Sequence, residues 1–232
     1  MKPDQRKEYT VEYFLSAAEC NAQREISLPL LAQRFIDIST AHANYIDVGY
    51  ERLLRANAAW VLSRITIEVD RMPRINEHIT LTTWIQEINR HYSERIIEVD
   101  DADGNPIGYG RLVWVGINIA TRRPIDLSPL FPNLEISDRP CPIAKHSRLT
   151  DIGEPDHITM YNFRFSDIDF NRHVNSTRYI EFILDQWSVA FFDIHRVKRF
   201  EIAYQAEAHY DDIVEVRRCG DAEQQNFEIA RN

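Results

Sequence analysis

Cysteine is scarce in this chain, and glycine is little commoner. Three cysteines, Cys20, Cys141 and Cys219, stand far apart among 232 residues and form no Cys-x-x-Cys pair. An odd, scattered set excludes a disulfide framework and a cysteine zinc site. Seven glycines with no Gly-x-Gly-x-x-Gly or P-loop spacing leave nucleotide phosphate binding without support. Long apolar runs are missing as well. The best, "YIEFILDQWSVAFFDI" (179–194), is broken by Glu181, Asp185 and Asp193, which excludes a membrane span. The first residues, "MKPDQRKEYT", carry no apolar signal region. Basic charge is outnumbered, 27 to 36, for a net −9, which argues against a general nucleic-acid binder. His78, His91, His146, His157 and His195 show no metal-ligand spacing, so no metal is expected. These absences predict a soluble, cytoplasmic protein.

What remains is 44% hydrophobic, ample for one large core or two small ones. Six of the ten prolines fall in residues 121–157, "TRRPIDLSPLFPNLEISDRPCPIAKHSRLTDIGEPDH", a stretch with little periodicity. It reads as a linker between residues 1–120 and 158–232. In the first half, Leu31, Phe35, Ile38, His42 and Tyr45 recur at helical spacing between two strand-like regions. "DDADGNP" (100–106) is a turn between two β-rich segments. The second half repeats the order: strand, polar loop, helix, strands. Its helical stripe runs through Tyr179, Phe182, Ile183, Gln186, Trp187, Ala190, Phe191 and Ile194. One long helix against an antiparallel meander, twice over, predicts an α+β protein of two sheets, the second one strand short.

The polar loop concentrates the chemistry. In "DIDFNRHVN" (167–175), Asp169, Asn171 and His173 lie at i, i+2 and i+4, on one side of the chain if it is extended. Asn175 or Ser176 is a natural helix N-cap. The preceding residues would then face the positive end of a helix dipole, a place that stabilises developing negative charge. A capped helix with an acidic entry turn explains Asn175 fully, but the other three side chains less well.

The loop resembles the D-x-D-x-N-x-H-V-N-N-x-x-Y motif of acyl-acyl carrier protein (acyl-ACP) thioesterases. "WVLSRITIEVDRMPRINEHITLTTWI" (60–85) and "YGRLVWVGINIATRRPI" (109–125) resemble two further stretches of that family. Together they span roughly residues 5–230. The resemblance implies two fused hot-dog units, each an antiparallel sheet wrapped around a long helix. The first would select the acyl chain, and the second would be catalytic. It implies hydrolysis of fatty acyl-ACP to free fatty acid, with acyl carrier protein as partner and no cofactor. Assembly as monomer or homodimer stays open. Carried over by position, the site is Asp169, Asn171, His173 and Glu207, the last from "YQAEAHYDD" (204–212). Ala208 stands where plant members have cysteine, so a thiol nucleophile is excluded there. Apolar alternation from Phe200 to Ala208 would put Glu207 on the far face of a strand, and His209 would be an ordinary strand residue. An acyl tunnel is expected near Ile38, Trp60 and Leu81. The cations of "HRVKR" (195–199) suit a helix C-terminus, with carrier docking as the alternative. Two rival readings are an acyl coenzyme A thioesterase of hot-dog type and a non-catalytic acyl-binding protein.

Overall fold

Ser27 begins the long helix α1 (Leu28–Tyr45), its side chain accepting from the Leu30 N–H at 3.4 Å, with Pro29 in the first turn where no donor is lost. The buried stripe Leu31, Phe35, Ile38 and His42 follows the expected spacing, whereas Tyr45 is exposed. This computed structural model describes residues 6–221 and 223–231. They divide into two compact units.

The first unit comprises the chain up to His146 together with Asp193–Ala203. Its antiparallel sheet contains β1 (Glu8–Phe14), β2 (Ala58–Val69), β3 (His78–Ile88), β4 (Tyr92–Asp100), β5 (Pro106–Asn118) and β7 (Arg199–Ala203). The order is β1-β3-β4-β5-β2-β7. A short helix, α2 (Tyr50–Arg55), precedes β2 and was not foreseen; its Leu53 is fully buried. One sheet face packs α1. Tyr9 of β1 stacks on His42 at 5.8 Å, and a Cβ at Gly110 of β5 would fall 2.4 Å from the Phe35 ring. Glycine is required there because the aromatic ring lies directly on the strand.

The other face carries Trp84, Glu94, Arg111 and Thr66, and the proline-rich segment, as far as His146, crosses it without helix or strand. Charge fastens the crossing. Arg139 pairs with Glu98 and Glu8 and lies 4.5 Å above the Trp84 ring. Arg111, paired with Glu94 at 2.6 Å, donates to the Ile143 carbonyl, and Thr66 bonds His146. A cavity of about 550 Å³ opens on this face, lined in part by Arg64, Tyr92, Val113, Val115 and Lys145.

Asp100, at the end of β4, is pushed up to about 6 by burial and then by Glu98. A carboxyl raised in the folded state adds stability that is full below its unfolded pKa and lost as pH rises through about 6. Asp100→Asn is therefore expected to be more stable than the wild type at pH 8, by about 1 kcal/mol after discounting for solvent screening. Its advantage should vanish near pH 4, as urea unfolding at the two pH values would show.

The second unit comprises Ser147–Phe192 and the chain from Tyr204 onward. β6 (His157–Asn162), β8 (Ile213–Gly220) and β9 (Gln225–Arg231) form an antiparallel sheet in the order β6-β8-β9. Among the described residues the second half thus contributes four strands, counting β7, to the first half's five. The core joins Phe163, Val174, Phe182, Ala208, Val214 and Val216. The single long helix expected here is two: α3 (Ser176–Leu184) and α4 (Val189–Ile194). Ser188 starts the second helix afresh, its hydroxyl accepting from the Phe191 N–H at 3.3 Å. Ile194, the last of the expected stripe, is 80% exposed. No helix among the described residues is long and apolar enough to cross a membrane.

Candidate active site

The polar loop is built around an acid that sequence reading passed over. Asp167 is fully buried at the end of a 3-10 turn, Phe165–Asp167. One carboxylate oxygen accepts from the Arg164 N–H (2.7 Å) and the Tyr161 hydroxyl (3.2 Å). The other accepts from Arg178 Nε at 2.8 Å. Arg178 reaches back from α3, so this acid ties the loop to the helix that follows. The signal was present: Asp167 is the first acid of the D-x-D motif.

Beyond it the chain reverses. Ile168 and Val174 form an antiparallel bridge, and the Asp169 N–H donates to the His173 carbonyl at 2.8 Å. The Arg172 N–H donates to the Asp169 carbonyl at 3.0 Å, with Arg172 itself in the left-handed region at φ 65°. The expected extended conformation is therefore a tight hairpin turn. Its cause is the Asp169 carboxylate, which bonds backbone just ahead of it. Oδ1 accepts from the N–H groups of Asn171 (2.8 Å) and His173 (3.2 Å), and Oδ2 lies 3.4 Å from the Asn171 amide nitrogen. Asp169, Asn171 and His173 are thus brought together by a turn, not by strand alternation. Asn175 caps α3, its side-chain oxygen accepting from the Thr177 N–H at 3.0 Å.

Glu207 reaches the loop without lying in a strand. β7 ends at Ala203 and residues 204–209 are irregular, so the predicted strand face does not exist. Two bonds hold this segment against the loop and α3. The Val174 N–H donates to the Ala208 carbonyl at 2.8 Å, and the Tyr204 hydroxyl donates to the Ser176 carbonyl at 2.9 Å. Glu207 Oε2 then stands 3.5 Å from His173 Nε2, with side-chain exposures of 37% and 25%. His209, also outside any strand, sets its ring perpendicular to that of His173, 5.1 Å between centroids. Its N–H donates to Asp212 at 2.9 Å, which is the first cause holding that carboxyl below the usual range. Beneath the segment, burial pushes Tyr179 up to about 12 and raises Tyr204 as well.

The same loop occurs at the start of α1. Asn21 accepts from the N–H groups of Gln23 and Glu25, its own N–H donates to the Glu25 carbonyl, and Arg24 has φ 62°. Cys20 and Ile26 form the bridge, after a 3-10 turn at Ala17–Glu19. Asn21, Gln23 and Glu25 therefore stand where Asp169, Asn171 and His173 do. The first copy lacks an imidazole, and its Glu25 is buried and engaged by Arg196 at 3.4 Å. "CNAQREIS" (20–27) against "IDFNRHVN" (168–175) is the repeat. Elsewhere, Ile38 and Leu81 are fully buried between α1 and the sheet. Trp60 is partly buried, its Nε1 donating to the Val48 carbonyl at 2.8 Å.

Residues 6–131 match the family described as acyl-ACP thioesterase N-terminal domain, and residues 151–231 match acyl-ACP thioesterase C-terminal domain. An acyl-ACP thioesterase from Bacteroides thetaiotaomicron VPI-5482 is 32% identical, with a TM-score of 0.90 over 100% of this chain and 95% of that one. The 12:0-ACP thioesterase from Umbellularia californica shares the fold at a TM-score of 0.83 and 18% identity, covering 97% of this chain and 92% of that one. A palmitoyl-acyl carrier protein thioesterase of Arabidopsis thaliana, a chloroplastic protein, is 24% identical over 221 residues, 88% of this chain. The chain spans 53% of that relative's length. The fold is the α+β arrangement of two fused hot-dog units.

Proposed function

The chain belongs to the acyl-ACP thioesterase family, and from that premise we propose that it hydrolyses fatty acyl thioesters presented on an acyl carrier protein, releasing free fatty acid. The observation that carries this reading is the pairing of His173 with Glu207 beside a turn locked by Asp169. A capped helix alone has no use for an imidazole and a carboxylate at 3.5 Å.

Thioester hydrolysis needs a nucleophile, donors for the carbonyl oxygen and a proton for the departing sulfur. Asp169 is poorly placed to attack, because Oδ1 accepts from two N–H groups of its own turn and Oδ2 faces the Asn171 amide at 3.4 Å. Water activated by the His173–Glu207 pair is the better nucleophile. Glu207 stabilises the imidazolium as His173 takes the water proton, and His173 then passes that proton to the leaving thiolate. The exposed Asn171 amide, beside the N-terminus of α3, supplies a donor for the oxygen that becomes negative in the tetrahedral intermediate. Asp169 holds the geometry of both neighbours. Acyl-chain selection falls to the α1 face of the first sheet, around Ile38 and Leu81.

The test is a rate comparison on matched acyl chains carried by carrier protein and by coenzyme A, with free acid and free thiol both quantified. Equal release of acid and thiol, faster from the carrier, is expected. Faster release from coenzyme A would replace the carrier in this reading, and no release from either would end it.

A further inference from the structure

Phe165 and Phe170 are 88% and 82% exposed, the two most exposed large apolar side chains among the described residues. Neither helps the fold of the loop. Phe165 opens the 3-10 turn and Phe170 sits inside the tight turn that Asp169 closes. Each neighbours an exposed arginine, Arg164 or Arg172, and neither arginine enters an ion pair among the described residues. Among the cations near the loop and in residues 195–199, Arg178 is held by Asp167 and Glu181, Arg196 by Glu25, Arg199 by Glu68 and Glu201, and Lys198 by the Asp70 carbonyl. "HRVKR" therefore serves the fold. In a chain of net charge −9, this loop presents two exposed phenylalanines, each within two residues of an exposed cation that enters no ion pair among the described residues. An aromatic anchor beside a steering cation is the composition of an interface for an acidic protein.

We propose that Phe165 and Phe170, with Arg164 and Arg172, are the docking surface for the carrier protein that delivers the thioester, an acidic partner presenting an apolar residue of its own. This rests on the hydrolase reading, and position selects the occupant. Phe170 directly precedes Asn171 in the turn that holds the candidate catalytic side chains. A second copy of this chain or a lipid surface seated there would cover the mouth of the site and exclude substrate. A carrier must come this close in order to deliver it.

Two measurements on Phe165→Ser/Phe170→Ser and on Arg164→Gln/Arg172→Gln test the proposal. The first is kcat/KM on an acyl carrier protein against the same acyl group on free pantetheine. The loss on the carrier substrate is expected to exceed the loss on pantetheine at least tenfold, through KM, and the arginine pair should flatten the salt dependence. The second is direct binding of acyl carrier protein to the His173→Ala chain, expected to weaken tenfold or more when the phenylalanines are replaced. Binding that weakens in a protein that cleaves neither substrate upholds the docking surface while refuting the hydrolase. Equal losses on both substrates, or carrier binding indifferent to all four residues, would overturn it. So would phenylalanine-dependent binding to phosphatidylglycerol vesicles, or phenylalanine-dependent self-association, with carrier binding unchanged.

Discussion

Replacing His173 with alanine is expected to lower kcat at least about a hundredfold, the ordinary loss for a general acid–base group, while leaving the melting temperature near that of the wild type. The imidazole is partly exposed, and His173 joins its turn through its own backbone N–H and carbonyl, so removal of the ring takes away chemistry and little architecture. Glu207→Gln should approach the same loss, since a neutral amide cannot stabilise the imidazolium. Asp169→Asn asks a separate question. An asparagine oxygen can accept the same two N–H bonds, and Asn21 already does so in the first copy of the loop. That variant should fold normally, so any loss of turnover reports on the charge alone. Single-turnover hydrolysis in ¹⁸O-water separates the two chemical routes. Activated water places label in the product acid and leaves the protein unlabelled. Direct attack by Asp169 gives an anhydride, and its opening by water at the aspartyl carbonyl labels the aspartate, so label in the protein identifies that route. Near-normal turnover in His173→Ala would reduce the loop to a capped helix.

The difference between what the residues announced and what they hid is one of range. Local signals were legible. Leu31, Phe35, Ile38 and His42 mark the buried side of α1 because a helix repeats its contacts every turn. The turn at Asp101–Asn105 was legible because Asp101 bonds the N–H groups of Asp103 and Asn105 with Gly104 at φ 78°. The acids and imidazole of the loop could be picked out, but not their conformation. Alternation treated Asp169 as a side chain on a strand, whereas its carboxylate competes for backbone and folds the chain upon itself. Glu207 was misplaced for a related reason. Apolar alternation continues past Ala203, but the segment is held by the Ala208 carbonyl and the Tyr204 hydroxyl, partners that lie 28 or more residues away in sequence. Pairing of β7 with β2 across the length of the chain leaves no local trace either. The loop repeat escaped because only turn-forming character is shared: Asn21 for Asp169, with Arg24 and Arg172 both at positive φ.

Asp167 carries the largest expected effect on stability. Its carboxylate is wholly buried and receives three donors, from Arg164, Tyr161 and Arg178. Asp167→Ala strands all three at once. Breaking a buried ion pair typically costs about 3–5 kcal/mol. Arg178 is 29% exposed and keeps Glu181, so the lower end, about 3 kcal/mol, is the expectation. Asp167→Asn keeps one acceptor but loses the charge, and should cost about half as much. Because Asp167 meets neither His173 nor Glu207 directly, molecules that remain folded should keep turnover far above that of His173→Ala. The two substitutions should therefore separate cleanly: urea midpoint falling with activity per folded molecule largely kept for Asp167→Ala, and the reverse for His173→Ala. A matching change of Glu19, which accepts from the Ser16 N–H at 2.9 Å and from Arg34 at 2.6 Å in the first loop, provides the comparison. Glu19 is partly exposed, so Glu19→Ala should shift the midpoint less. An Asp167→Ala protein with an unmoved urea midpoint would show that the loop holds its shape through the backbone of the Asp169 turn alone.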